Sequence, residues 1–302
     1  MASVQAEALK AQLLTVRDSL GGSGHPSLAE LRAAGEGFAA MTAEPDGVRY
    51  TEIDAGGLRA VWADPDGGAT DRVVQYVHGG GYVIGSVDSH RKLTGHLARA
   101  VGCRVLNVDY GLAPEHPHPG PVNDSVRAYR WLLDNGFEPG RTAIAGDSAG
   151  GGLTLATVLK IRDDGLPQPA GAVPLSPWAD LEGLGASMAT NAERDVVVGA
   201  VGLKGMAAMF LAGGDPHDPL AAPIYGDYRG VCPLYLQVGG DETLLDDASR
   251  VAERARAAGV EVRLDVFPEM QHVFQMAAGT IPEADEALAR IGAWLRPRLG
   301  LS

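Results

Sequence analysis

Short runs of apolar residues alternate along most of the chain with longer stretches in which apolar positions recur every three or four residues. The short runs read as buried strands and the longer stretches as amphipathic helices. Strands are predicted at 72–77 (RVVQYV), 103–108 (CRVLNV), 142–146 (TAIAG), 171–176 (GAVPLS), 233–239 (PLYLQVG) and 261–267 (EVRLDVF). Helices are predicted between and after them, over 89–100, 122–135, 149–163, 248–258 and 284–295. Near-continuous apolar strands separated by helices require a mostly parallel sheet covered on both faces. Two more runs, 48–53 and 58–63, flank the turn sequence DAGG and predict a hairpin at one sheet edge. The expected fold is α/β, a sandwich of about eight strands.

Two stretches break this rhythm. Helical patterns over 4–20 and 27–42, separated by the breaker GGSGHP at 21–26, precede any strand. More than 50 residues separate the strand ending near Ser176 from the one starting at Pro233, which exceeds an ordinary connection. That interval carries the apolar helical stretch GLKGMAAMFLAG at 202–213. An insertion at the carboxyl ends of such strands overlies the ligand crevice of the sheet. The expected organisation is N-terminal cap helices over 1–45, a first part of the core over 46–182, a cap insertion over 183–214 and a second part of the core over 215–302.

Charge narrows the choice of partners. Thirty-eight acidic residues against 25 basic ones give a net charge of −13, and no dense Lys/Arg block offers a footprint for a phosphate backbone, so nucleic acid is not expected as a partner. No apolar run is long enough to span a bilayer, and the first residues lack the pattern of a secretory signal, so a soluble cytoplasmic protein is expected. Cys103 and Cys232 lie in or beside apolar strand-like runs and are expected to be free, buried thiols.

The most informative chemistry lies at a strand–turn–helix junction, where Gly146-Asp147-Ser148-Ala149-Gly150 spells G-x-S-x-G. Ser148 there stands at a crowded corner, its hydroxyl presented at the mouth of the crevice, beside the free N–H groups of the helix that follows. An N-cap serine after a tight turn is the plainer alternative. A second signal is His78-Gly79-Gly80-Gly81-Tyr82 after the strand at 72–77. Consecutive glycines cost backbone entropy, and a loop whose N–H groups point at a ligand oxygen is a reason to keep them. Its spacing matches neither G-x-G-x-x-G nor a P-loop, which argues against a nucleotide. N–H groups of this loop, with that of Ala149 after the serine, are the expected oxyanion donors, and His78 is expected to shape the loop.

A serine nucleophile needs a base and a group to orient it. Of the eight histidines only His217 and His272 follow Ser148, and His217 lies near the expected cap. His272, in FPEMQHVFQ just past the strand at 261–267, is therefore the expected base. The preceding strand ends in Gly239-Gly240-Asp241-Glu242. Asp241, its first carboxylate, is the expected orienting acid, with Glu242 as competitor; Asp246 and Asp247 are expected to cap the next helix. Tyr82, Trp178, Met206, Met209 and Phe210 are candidate pocket walls or ordinary core. Asp195 is expected to anchor the cap, and Glu115 to fix a proline-rich loop.

With HGGG at 78–81, DYGLAPEHPHP at 109–119 and GDSAGG at 146–151, the chain resembles the bacterial hormone-sensitive-lipase-like esterases of the α/β-hydrolase superfamily. The resemblance runs from about residue 45 to the C-terminus, and the opening helices are similar to that family's cap. It implies an α/β-hydrolase fold with a helical cap and Ser148, Asp241 and His272 as the triad. It also implies Gly79, Gly80 and Ala149 as oxyanion donors, short to medium acyl esters as substrates, no cofactor or metal, and frequent homodimers. Lactone hydrolysis and amide cleavage or deacetylation would use the same triad, and a non-catalytic small-molecule-binding protein would keep only the pocket. Two departures stand out: Gly111 replaces the arginine common after DY, and the acid lies in Asp241-Glu242-Thr243 rather than in a D-P-L sequence.

Overall fold

The sheet runs from a half-exposed edge strand to a fully buried centre in the computed structural model, which describes residues 2–20 and 27–302. In chain order the elements are α1 Val4–Leu20, α2 Leu28–Glu36, β1 Val48–Asp54, β2 Arg59–Pro65, β3 Ala69–Val77, α3 Arg91–Val101, β4 Cys103–Val108, α4 Gly120–Asp134, β5 Thr142–Asp147 and α5 Ala149–Asp163. They continue with β6 Gly171–Leu175, α6 Ser187–Thr190, α7 Ala200–Leu211, β7 Leu234–Gly239, α8 Leu245–Ala257, β8 Val262–Phe267 and α9 Pro282–Arg298. Among the described residues eight strands form one sheet, in the order β1-β2-β4-β3-β5-β6-β7-β8. The pairings of β1 with β2 and of β2 with β4 are antiparallel, and all the others are parallel.

Burial follows the apolar pattern. Every residue of β5 and β7 is buried, whereas β1, the hairpin strand at the edge, buries none fully. On one face α3 and α9 pack Leu93, Leu97, Ile291 and Leu295 against Val74 and Tyr76. On the other, α4, α5 and α8 pack Val126, Tyr129, Leu155, Leu159 and Val251 against Val77, Ile144 and Leu236. Each such aliphatic side chain contributes ~2 kcal/mol on leaving water. Cys103 and Cys232 are free and buried, and burial pushes both thiols up to about 12.

The stretch 27–42, read from sequence as one helix, is α2 followed by a 3-10 turn over Gly37–Ala40. A capping box between Ser27 and Glu30 starts α2. Gly35 and Gly37 weaken its end, which favours the tighter turn. The breaker at 21–26 lies outside the described residues. Among the described residues, no helix is long and apolar enough to cross a membrane.

The parallel strands all end on the same edge of the sheet. Ser148 follows β5, Ser176 follows β6, Glu242 stands three residues past β7 and His272 five past β8. Above this edge lie α1 and α7. Ala6 and Leu9 of α1 pack with Phe267, Met270 and Phe274 beside the His272 loop. From α7, Phe210 stacks on Tyr82 with 3.8 Å between ring centroids.

Candidate active site

Ser148 occupies a sharp corner between β5 and α5, at φ +54° and ψ −119°, a left-handed conformation that costs a non-glycine residue energy. The corner is held by the Ser148 N–H donating to the Leu175 carbonyl at 2.8 Å, and by the Trp178 N–H donating to the Ser148 carbonyl at 2.9 Å. Its flanking glycines are required by close approach. A Cβ on Gly146 would lie 2.4 Å from the Val77 carbonyl oxygen, and one on Gly150 would lie 2.0 Å from it.

The serine hydroxyl donates to His272 Nε2 at 2.8 Å, and the His272 Nδ1–H donates to Glu242 Oε2 at 2.9 Å. Here the structure corrects the sequence reading, which gave the orienting role to Asp241. The Asp241 carboxylate turns toward α1 and accepts from Lys10 Nζ at 2.7 Å, with Gln271 Nε2 at 3.4 Å and Arg194 Nη1 at 3.7 Å. Glu242 turns inward. Its Oε1 accepts from the Ser176 hydroxyl at 2.6 Å and from the Gly239 N–H at 2.5 Å, and no part of the residue is exposed. Burial opposes charge on His272, but the hydrogen bond and charge of Glu242, helped by Asp195 and Asp147, hold its pKa above the ordinary 6.5.

The glycine loop needs a second correction. Gly79, an expected oxyanion donor, gives its N–H to Asp147 Oδ1 at 3.0 Å and cannot offer it to a ligand. Among the described residues no acceptor takes the N–H of Gly80, Gly81 or Ala149. Gly80 and Gly81 line the cavity with Ser148, and Ala149 begins α5, where backbone N–H groups have no helical partner. Gly81 was not singled out from sequence because HGGG does not reveal which of its glycines lines the cavity. Asp147, the acceptor of the Gly79 N–H, is buried and also accepts from Tyr76 OH at 2.7 Å and from His90 Nε2 at 3.3 Å. Burial works against its charge, yet His90 and Tyr76 hold its carboxyl below the usual range. His78 shapes the loop: its Nδ1–H donates to the Gly79 carbonyl at 2.8 Å and its ring stacks on Tyr110. Burial, then the neighbouring His90, pushes its pKa down to about 3, so it is neutral.

The stretch 194–198 is bolted to this machinery. Asp195 Oδ2 accepts from the Thr243 N–H at 2.8 Å and from its hydroxyl at 3.0 Å, while Oδ1 accepts from the N–H groups of Val197 and Val198. Gln271, next to His272, accepts the Val196 N–H at 2.9 Å and donates to the Arg194 carbonyl at 3.1 Å. Glu115 pairs with Arg32 of α2, which also donates to the carbonyls of Val83 and Ala113. Asp246 and Asp247, expected to cap α8, lie in its first turn but accept instead from Ser187 N and from Ala179 N and Asp180 N.

The region 74–276 matches the family described as alpha/beta hydrolase fold. An acetyl-hydrolase of Streptomyces hygroscopicus is 44% identical over 251 residues, covering 82% of this chain and 83% of that protein. An esterase of Acinetobacter venetianus is 34% identical over 245 residues, covering 81% of this chain and 80% of its own. A solved esterase from the bacterial hormone-sensitive lipase (HSL) family superposes with a TM-score of 0.94 at 43% identity, over 99% of this chain and all of the other. The chain belongs to the bacterial hormone-sensitive-lipase-like esterases. Its chemistry is serine-hydrolase catalysis on ester substrates.

In this esterase Ser148 opens into a cavity of about 200 Å³ with mostly apolar walls. Leu13, Phe38, Met41, Trp178, Leu203 and Met206 are among the side chains that line it. Of the walls expected from sequence, Trp178 and Met206 line the cavity. Tyr82 and Phe210 lie in the core behind it, with Met209 packed against that core. Among the described residues no group of three or more His, Cys, Asp or Glu side chains is placed to hold a metal ion.

Proposed function

We propose that this esterase hydrolyses short to medium acyl esters, lactones among them, through an acyl-enzyme on Ser148. The observation that carries this reading is the unbroken hydrogen-bonded line from Ser148 Oγ through His272 to buried Glu242, opening into an apolar cavity. Substrate carbonyl oxygen is received by the N–H groups of Gly80, Gly81 and Ala149. As Ser148 attacks, His272 Nε2 takes its proton and Glu242 stabilises the imidazolium. The proton then passes to the departing alkoxide, leaving the acyl group on Ser148. Water, deprotonated by the same imidazole, attacks the acyl carbon and releases the acid. Developing negative charge on the carbonyl oxygen is met by donors already in place, each worth ~3 kcal/mol in such sites.

The two N-terminal helices and the insertion over 183–214 act as the cap over this chemistry. Support comes from Leu13 of α1 and from Leu203 and Met206 of α7, which line the cavity from above the sheet edge. With scarcely any polar wall beyond the catalytic groups, the cavity suits neutral, apolar esters.

The test is Ser148→Ala assayed on nitrophenyl esters of graded acyl length, with amides and lactones alongside. Ester turnover should fall by roughly 10⁴-fold or more. Substantial kcat in the purified, folded variant would overturn the assignment.

A further inference from the structure

One wall of the cavity contains a feature that helix stability does not explain. Gly202 lies within α7 and faces the cavity, and a Cβ added there would meet nothing within 4 Å. Glycine inside a helix destabilises it relative to alanine, and here no close approach of another chain segment requires it. Gly205, in the same helix, also has open space around it but does not line the cavity.

One turn further along, Met206 lies over the oxyanion loop. Its Sδ would be 2.1 Å from a Cβ on Gly81, so the thioether fills the space above the loop that receives the substrate carbonyl. Residues four apart share a helix face, and long side chains in a helix lean toward its N-terminus. Met206 therefore shares a face with Gly202, yet its side chain is turned to the Gly81 loop and leaves the space at Gly202 open, with no atom within 4 Å of a Cβ there. Methionine is unbranched, with three rotatable bonds, and adapts its shape at little cost.

We propose that Gly202 and Met206 form an adjustable wall that selects the ester by the bulk of one of its two apolar groups. Met206 is the displaceable plug beside the oxyanion loop, and Gly202 is the space into which the plug, or the substrate group itself, moves. The substrates it admits carry a branched or aromatic apolar group on that side, beyond what a fixed methionine would allow. This inference rests on the reading of Ser148 as nucleophile and adds a specificity determinant to it.

The experiment measures kcat/KM for wild type, Gly202→Leu and Met206→Ala on two series. One holds nitrophenol constant and enlarges the acyl group from acetyl through butyryl to pivaloyl and octanoyl; the other holds acetyl constant and enlarges the alcohol from ethyl to benzyl. In one series Gly202→Leu should lower the preference for large over small groups by roughly tenfold or more, and Met206→Ala should raise it. Val201→Ala, on the exposed side of α7, serves as the control and should keep the wild-type profile. Gly202→Ala, favoured by helix propensity, repeats the test in milder form should the leucine variant fold poorly. Factors that stay the same at every substrate size in both series would overturn the inference. Turnover surviving in Ser148→Ala would instead overturn the reading beneath it.

Discussion

The Ser176 hydroxyl donates to Glu242 Oε1 at 2.6 Å and accepts the Val273 N–H at 3.2 Å, tying the acid to the residue that follows His272. Ser176 is fully buried and held at φ +43°, a strained conformation kept at the end of β6. Its hydrogen bonds reach Glu242 and the backbone after His272 but not Ser148, which is the placement of a positioning residue.

Ser176→Ala should therefore lower kcat by roughly 10- to 100-fold, the worth of one hydrogen bond to a charged group, while KM changes little. Steady-state kinetics together with a thermal melt check this. A loss of melting temperature with kcat intact would reduce Ser176 to a packing residue.

The raised pKa of His272 has a direct kinetic consequence. The imidazole must be neutral to accept the Ser148 proton, so activity should rise with pH through a midpoint above 6.5. In Glu242→Gln the hydrogen-bonded negative charge that holds the pKa up is gone, and the residual activity should show that midpoint at lower pH. The pH profile of kcat/KM reads both.

Asp247 controls stability rather than chemistry. Burial pushes its carboxyl up to about 7, against hydrogen bonds from Ala179 N and Asp180 N. The folded chain then keeps a proton that the unfolded chain releases near pH 4, so the group costs stability as pH rises from about 4 to 7. Over that window the cost grows to about 4 kcal/mol and is constant above it. Asp247→Asn, which cannot ionise, should show a smaller difference in melting temperature between pH 5 and pH 8 than wild type. Equal differences in the two proteins would contradict this.

The parts of the fold carried by local pattern were legible in the sequence. The strand at 103–108 and the helix at 149–163 fall where apolar periodicity put them, because each is fixed by its own run of residues. The meeting of Ser148 with His272 was legible because each is the one residue of its type placed by sequence at the end of its strand. The acid was not. Asp241 and Glu242 are neighbours past the same strand, and what separates them is Lys10, from the far N-terminus, drawing one outward and Ser176 drawing the other inward. Gly79 misled for a similar reason, since its N–H is taken by an aspartate 68 positions away. Side-chain direction at a turn is set by long-range partners, and no periodicity records them.

The central claim is that Glu242, not its neighbour, orients His272 toward Ser148. It is tested most directly by comparing kcat of Glu242→Gln and Asp241→Asn, both purified and folded, on the same nitrophenyl ester. Glu242→Gln should lose roughly 10³- to 10⁴-fold, as loss of the orienting carboxylate does in such triads. Asp241→Asn weakens a partly exposed pair with Lys10, a contact usually worth under about 1 kcal/mol, and should stay within roughly fivefold of wild type. The reverse ranking, with Asp241→Asn inactive and Glu242→Gln near wild type, would contradict the claim.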